Sequence, residues 1–473
     1  MNRHYDNVID IINKYNINDY WGLSPKYLQA YANKICGDYL YENSIAYKNS
    51  KFSWLSSFFW HSIVIIVGSL LSSLKSLLYF KTIKIKQSRV IAMPFCWKFV
   101  WFTRLPELID EDMRIVYHPF FHFEYFKKNL NGYNSEKVRP EFYSFKMRDI
   151  IRSLYILFSS YNKFAKCSCE LDNLFGVYTG KFSRILIFPI LYGGFIKRFI
   201  QKTILTNESI TWIMDYDYDY KYIVFNNFVH QLRKKDITIQ IQHGSFVTDS
   251  PDFCNPVCDY SLCCSLREKR VIEKNNYFNS QIRVLGAPLQ SFEGYQDYIE
   301  YQDRFDIIIL LTATDETWKS DPQKKILRLM DTIKYKIKIR YRPKSKHFDK
   351  AILKPYTKGM YESNETTLLE DVQSAKIVVC FSEDALYTAI RCNKPILYVR
   401  NIDIEKYYDL SVKSNFFNII KDSDFLKIDL EKLIGSSRNC SYENDLFILN
   451  NFGYIQFKEL KKQLKKVLDE IKR

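Results

Sequence analysis

Between residues 209 and 400 short apolar or alternating runs are interleaved with longer segments whose apolar residues recur every three or four positions. "SITWIMD", "ITIQIQ", "VCDYSLCCS" and "QIRVLGAP" have the length of buried strands, while "YKYIVFNNFVHQLRKKD" carries the spacing of a helix face. "LREKRVIEKNN" predicts a short helix. The pattern then breaks at the polar stretch "EGYQDYIEYQDR" and resumes with strands "DIIILLTAT", "YKIKIRYRP", "SAKIVVCFS" and "KPILYV" and the helix "EDALYTAIRC". Asp321-Pro322 is a good helix start, a capping carboxylate followed by the residue favoured at the first helical position. Strands separated by helices imply parallel sheets. The expected architecture is therefore α/β, with two doubly wound, Rossmann-like domains.

Two further strands, "SRVIAMPFCWKFVWF" and "DMRIVYHPFFHF", extend the first domain back to about residue 89. The expected division is a helical, membrane-associating extension over 1–88 and an α/β domain over 89–295. A second α/β domain follows over 296–445, and a basic amphipathic helix, "FKELKKQLKKVLDEIKR", lies in 446–473. A chain of 473 residues exceeds one ordinary core, which agrees with two domains. Residues 54–80 are long enough to span a bilayer, but His61 and Lys75 interrupt them and four serines recur along one helical face. An in-plane or packed amphipathic helix fits better than a span, and the basic run "KTIKIKQSR" that follows suits lipid headgroups. The N-terminus lacks the features of a secretory signal, so a cytoplasmic protein, peripheral on the inner face of the membrane, is expected.

Charge narrows the partners. A formal net charge of +16 draws the chain to anionic surfaces or phosphorylated ligands. Nucleic acid is not expected, because no zinc-finger spacing or aromatic RNA-binding signature accompanies the charge. Eleven cysteines, an odd number in a long chain, argue against a disulfide framework. Cys254, Cys258, Cys263 and Cys264 lack the separated pairs of a zinc site and read as small buried hydrophobes, so no metal is expected.

Candidate chemistry gathers at strand ends. His243 follows "ITIQIQ" and precedes Gly244, which lets the backbone turn closely around a ligand. An imidazole there can take a proton from a hydroxyl or donate to a phosphate oxygen. Simple alternation also places His243 on the isoleucine face, so a core histidine remains open. Asp215, Asp217 and Asp219 are spaced two apart, and on one strand face their repulsion would raise one carboxyl toward the range of a general base. A solvated acidic turn is the other reading. Gly193-Gly194 is a turn, a close packing site or a phosphate loop.

"DYDYDYKYIVFNNFVHQLRKKDITIQIQHGSF", "CDYSLCCS", "IRVLGAP" and "SAKIVVCFSEDALYTAIRCNKPILYV", in that order, resemble bacterial GT-B enzymes of surface carbohydrate synthesis (capsule and O-antigen), to which CDP-glycerol-type phosphotransferases are related. The resemblance covers about 215–399. It implies two domains facing a cleft, an acceptor on the first and a nucleotide-activated donor on the second, with no other cofactor. Catalysis would fall to His243 with Asp215 or Asp217. The donor would meet Gly244, Gly286, the loop carrying Thr312, Thr314 and Lys319, and the basic strand end of Arg340, Arg342, Lys344 and His347. An ordinary loop and a solvated basic strand end are the corresponding alternatives. Relatives carry a His-Pro pair where this chain has Arg342-Pro343. They also place hydroxyl residues and a glutamate at a helix start where this chain has Ser382, Glu383, Asp384 and, at the glutamate's place, Thr388. Carboxylates there complement the helix dipole themselves and would repel a phosphate. The implied activity is inverting, metal-independent transfer of a sugar to a surface polysaccharide or lipid-linked glycan. A CDP-polyol phosphotransferase and a non-catalytic scaffold of the same fold are the alternatives.

Overall fold

The computed structural model describes residues 2–44, 90–93, 113–117, 140–142, 147–176, 206–215, 220–242, 256–287, 303–311, 322–341, 366–381, 383–400 and 404–472 with a few single exceptions, and shorter stretches within 105–109, 186–204 and 360–362. Contacts divide the chain into two units. One holds Met1–Cys263, Arg270–Arg283 and Gln463–Arg473; the other holds Cys264–Lys269 and Val284–Lys462. The division after Arg283 falls earlier in the chain than the polar stretch that the sequence offers as a linker.

The first unit is built on seven strands: β1 (Val90–Met93), β2 (Met113–Tyr117), β3 (Pro140–Phe142), β4 (Thr211–Asp215), β5 (Ile237–Ile241), β6 (Tyr260–Cys263) and β7 (Gln281–Val284). Their order is β3-β2-β1-β4-β5-β6-β7, and every pairing from β3 through to β6 is parallel. Its helices are α1 (Asn2–Lys14), α2 (Asn18–Trp21), α3 (Pro25–Ser44), α4 (Met147–Ser159), α5 (Tyr161–Phe175) and α6 (Tyr220–Leu232). The N-terminal helices belong to the core of this unit: Val8, Ile12, Trp21, Tyr31 and Ile35 are buried in one cluster with Trp212 and Phe225. Trp212 stands edge-on to Phe199 and Phe225, and its indole donates to the Asp236 carboxylate at 2.8 Å.

The second unit repeats the plan. Strands β8 (Phe305–Leu311), β9 (Ile337–Tyr341), β10 (Tyr361–Glu362), β11 (Ala375–Cys380), β12 (Ile396–Val399) and β13 (Phe417–Ile420) lie in the order β10-β9-β8-β11-β12-β13, all parallel. Helices α7 (Pro322–Met330), α8 (Leu368–Gln373), α9 (Glu383–Arg391) and α10 (Leu446–Phe452) belong with them, and α11 (Phe457–Lys472) ends the chain. From Ile307 to Leu311 β8 is buried on both faces and unbroken in its apolar residues. Each sheet has the 3-2-1-4-5-6 order of a dinucleotide-binding fold, so each has a point where the strand order reverses. That point lies between β1 and β4 in one sheet and between β8 and β11 in the other.

The expectation of an amphipathic helix over 54–80 lies outside the described residues. Among the described residues no helix is long and apolar enough to cross a membrane.

Candidate functional site

In an open parallel sheet, ligands bind beyond the carboxyl ends of the strands where the order reverses, because the connections diverge there and leave a crevice. In the first unit, β1 pairs with β4 through Met93 and Met214, and the next residue of β4 is Asp215. Asp215 in turn lies opposite Ile241, the last residue of β5. The register therefore sets Asp215 at the switch point and brings the exit of β5 beside it. Gln242 continues the pairing, its amide donating to the Leu262 carbonyl at 2.9 Å. His243 and Gly244 follow in the sequence but lie outside the described residues, as do Asp217 and Asp219.

Strand β5 is polar on one face and apolar on the other, and both faces are buried. Ile239 and Ile241 are fully covered, and so are Thr238, Gln240 and Gln242. The polar face is satisfied by side chains. Tyr222 of α6 donates to Gln240 Oε1 at 2.6 Å, and the Cys258 thiol donates to the same oxygen at 3.6 Å. Burial pushes the Tyr222 hydroxyl well above its ordinary pKa and the Cys258 thiol up to about 12, so both stay protonated donors. Cys258, Cys263 and Cys264 are buried thiols. Among the described residues no group of three or more His, Cys, Asp or Glu is placed to hold a metal ion.

A second polar network, not anticipated from the sequence, lies at the opposite edge of this sheet. His230 Nε2 contacts Asp259 Oδ2 at 3.0 Å, His230 Nδ1 meets the Tyr27 hydroxyl, and Asp259 accepts from both the amide and the hydroxyl of Thr238. Burial acts to raise the Asp259 carboxyl, but the bond and charge of His230 and the two Thr238 donors leave it below the usual carboxylate range. Tyr-His-Asp contacts of this kind suggest a proton relay. Their place near the amino ends of β5 and β6 instead makes them a tie between α3, α6 and the sheet.

In the second unit, three strands end together at one edge. Leu311, the last residue of β8, lies opposite Tyr341, the last of β9, and Leu310 lies opposite Cys380, the last of β11. The residues next in sequence are Thr312, Arg342 and, after Phe381, Ser382. Those three lie outside the described residues, together with Thr314, Lys319, Lys344 and His347. Helix α9 does begin at Glu383, so Glu383 and Asp384 occupy its first turn, and Thr388 is half-buried further along it.

Two of the expected donor residues have evident structural partners. Arg340 is 8% exposed. Its guanidinium donates to the Thr366 carbonyl at 2.7 Å and pairs with Asp371 of α8. Lys338, two residues earlier on the same face of β9, meets the other Asp371 oxygen at 2.5 Å. The cluster is a buried ion group that ties a helix to the sheet. Gly286 has φ +104°, and a Cβ there would lie 2.3 Å from Ile455 Cδ1. The adjacent Ala287 amide donates to the Gly453 carbonyl at 2.8 Å, so close packing accounts for this glycine. Gly193 is explained the same way, since a Cβ would sit 2.8 Å from the Phe228 ring.

No family model matches the sequence, and no curated protein gives a significant match. Among solved structures, the chain is similar to the UDP-GlcNAc 2-epimerase of Methanocaldococcus jannaschii at 12% identity and a TM-score of 0.46, covering 80% of this chain and 99% of that one. A lipopolysaccharide outer core galactosyltransferase gives 11% identity, a TM-score of 0.46 and coverage of 80% and 99%. The wall teichoic acid polymerase TagF, in a structure soaked with CDPG, gives 10%, 0.39, and 88% and 97%.

Proposed function

We propose that the protein is a GT-B glycosyltransferase that moves a sugar from a nucleotide-activated donor to a growing surface polysaccharide or lipid-linked glycan. The observation that carries this reading is the coincidence of chemistry with topology. In each sheet the strands at or beside the order reversal end at, or within two residues of, the residues that the sequence singles out. These are Asp215 with the exit toward His243 in the first unit, and Thr312, Arg342 and Ser382 after adjacent strands in the second.

In this reading the second unit binds the donor nucleotide, and cations from the segment after β9 offset the charge of the departing phosphate. The first unit holds the acceptor. His243, or Asp215 beside the exit of β5, takes the proton from the acceptor hydroxyl as that oxygen attacks the anomeric carbon. The bond to the nucleotide's phosphate oxygen breaks with its electron pair leaving on the nucleotide, which gives inversion and needs one general base. Since Glu383 and Asp384 disfavour an anion at the start of α9, the donor phosphates rest on the basic segment after β9 and on the loop after β8.

Replacing His243 with Ala tests the assignment. Transfer of sugar from a nucleotide donor to a lipid-linked acceptor should fall by two to four orders of magnitude, the usual weight of a general base, with melting unchanged. A destabilised variant that keeps its activity would make His243 a core residue. A phosphodiester in the product, with loss of a nucleoside monophosphate, would replace sugar transfer by polyol-phosphate transfer.

A further inference from the structure

A cavity of about 370 Å³ opens in the first unit, away from the strand ends. Its floor includes Phe228, the ninth residue of α6. Phe228 lies roughly 12 Å along α6 from its first residue, Tyr220, at 1.5 Å per residue. The volume is that of a small-ligand pocket. Gly193 admits the Phe228 ring, and the exposed Gly194 leaves the wall beside it low.

The charged lining is unbalanced. Arg152 from α4 and Lys197 and Arg198 from the helical stretch 196–201 face one carboxylate, Asp19. Tyr20 forms another part of the wall, and Lys163 Nζ lies 5.6 Å from the centre of its ring. Such a lining selects an anion, and guanidinium groups suit phosphoryl oxygens in particular.

The same helix carries a second feature. Ile151, Tyr155 and Phe158, spaced on one face of α4, are 59%, 73% and 61% exposed. They occupy the helix face next to Arg152 and Ile156, which line the cavity. An apolar stripe with two aromatic rings at the rim of a cationic pocket matches a molecule that is phosphorylated at one end and apolar beyond it. A free phosphate leaves the stripe unused. The chain's charge of +16 further favours an anionic lipid layer over a neutral one.

From the cationic cavity and the bordering apolar stripe we infer that this face of the first unit docks on membrane lipid, the cavity taking the phosphoryl headgroup and α4 lying against the apolar boundary. The site is independent of the transferase reading, because it uses none of the strand-end residues.

Flotation of the full-length protein with vesicles of phosphatidylcholine, with and without phosphatidic acid, tests it. Wild type should float with the phosphatidic acid vesicles. The double variant Arg152→Gln/Lys197→Gln should partition at least tenfold less, each cation near a lipid surface contributing roughly fivefold. Tyr155→Ser/Phe158→Ser should also lower partitioning several-fold, and all four side chains are exposed, so the fold is kept. Lys465→Gln/Lys466→Gln on α11, equal in charge, should bind like wild type. The inference is overturned if this control loses as much as the pocket variant, or if the pocket variant floats normally. A third result would contradict the lipid assignment: the serine variant floats normally, while dissolved glycerol phosphate binds wild type and fails to bind Arg152→Gln/Lys197→Gln.

Discussion

Asp371 is 1% exposed and faces two buried cations, Lys338 and Arg340, with Thr366 completing its contacts. Taking three charges out of water is costly, and their mutual attraction recovers that cost only while all three are present. Asp371→Ala leaves two ammonium and guanidinium charges buried without a counter-ion. The expected loss is about 3–5 kcal/mol, read as a lower denaturant midpoint for the second unit. A loss under about 1 kcal/mol would show that the cations relax to water and that Arg340 is available to a ligand after all. At this scale the sequence is ambiguous for a physical reason. "RYRPKSKH" shows the charges but not that Asp371, more than thirty positions away, faces two residues of the preceding strand.

At the scale of elements, helix α10 ends at Gly453 in the left-handed conformation, with φ +66°. A Cβ there would lie 1.8 Å from the Cys264 carbonyl oxygen, a backbone atom that cannot swing aside. Gly176, which ends α5 with φ +67°, has nothing within 4 Å of the same position. Both Ala variants bear the conformational cost of about 1–2 kcal/mol, and only Gly453→Ala adds a clash. Chemical denaturation should find Gly453→Ala the more destabilised by a clear margin; equal losses would contradict the tight approach. The strands between 209 and 400 were legible because they are short, largely buried segments in which apolar residues either run on, as in β8 and β11, or alternate with polar ones, as in β5 and β9. The edges were not. Pro140–Phe142 and Tyr361–Glu362 are too short to carry a period, and each pairs on one side only. Phe417–Ile420, also an edge strand, is as short as β7, yet nothing around it set it apart. The helices of residues 2–44 were legible as helices, yet nothing in their spacing told that Trp21 and Tyr31 would share a core with Trp212. The cationic cavity was hidden for the same reason, since Arg152 and Lys197 converge only after folding.

At the scale of the whole molecule, two sheets share one strand order, and each has its own reversal point. That duplication is what a transferase needs if one unit holds the donor and the other the acceptor. The sequence showed which segments to inspect but not that β8, β9 and β11 are neighbours, since β9 and β11 are separated by more than thirty residues. The central claim is that the second unit binds a nucleotide. Melting of the full chain should be followed with CMP, CDP, UDP, GDP and TDP, each in large excess. A ligand at a hundred times its dissociation constant adds about 2.7 kcal/mol, enough to raise the transition by several degrees. We predict that one base, as its diphosphate or monophosphate, raises the melting temperature well above the others, and that Arg342→Ala removes the shift. A flat response to all five nucleotides would contradict the account.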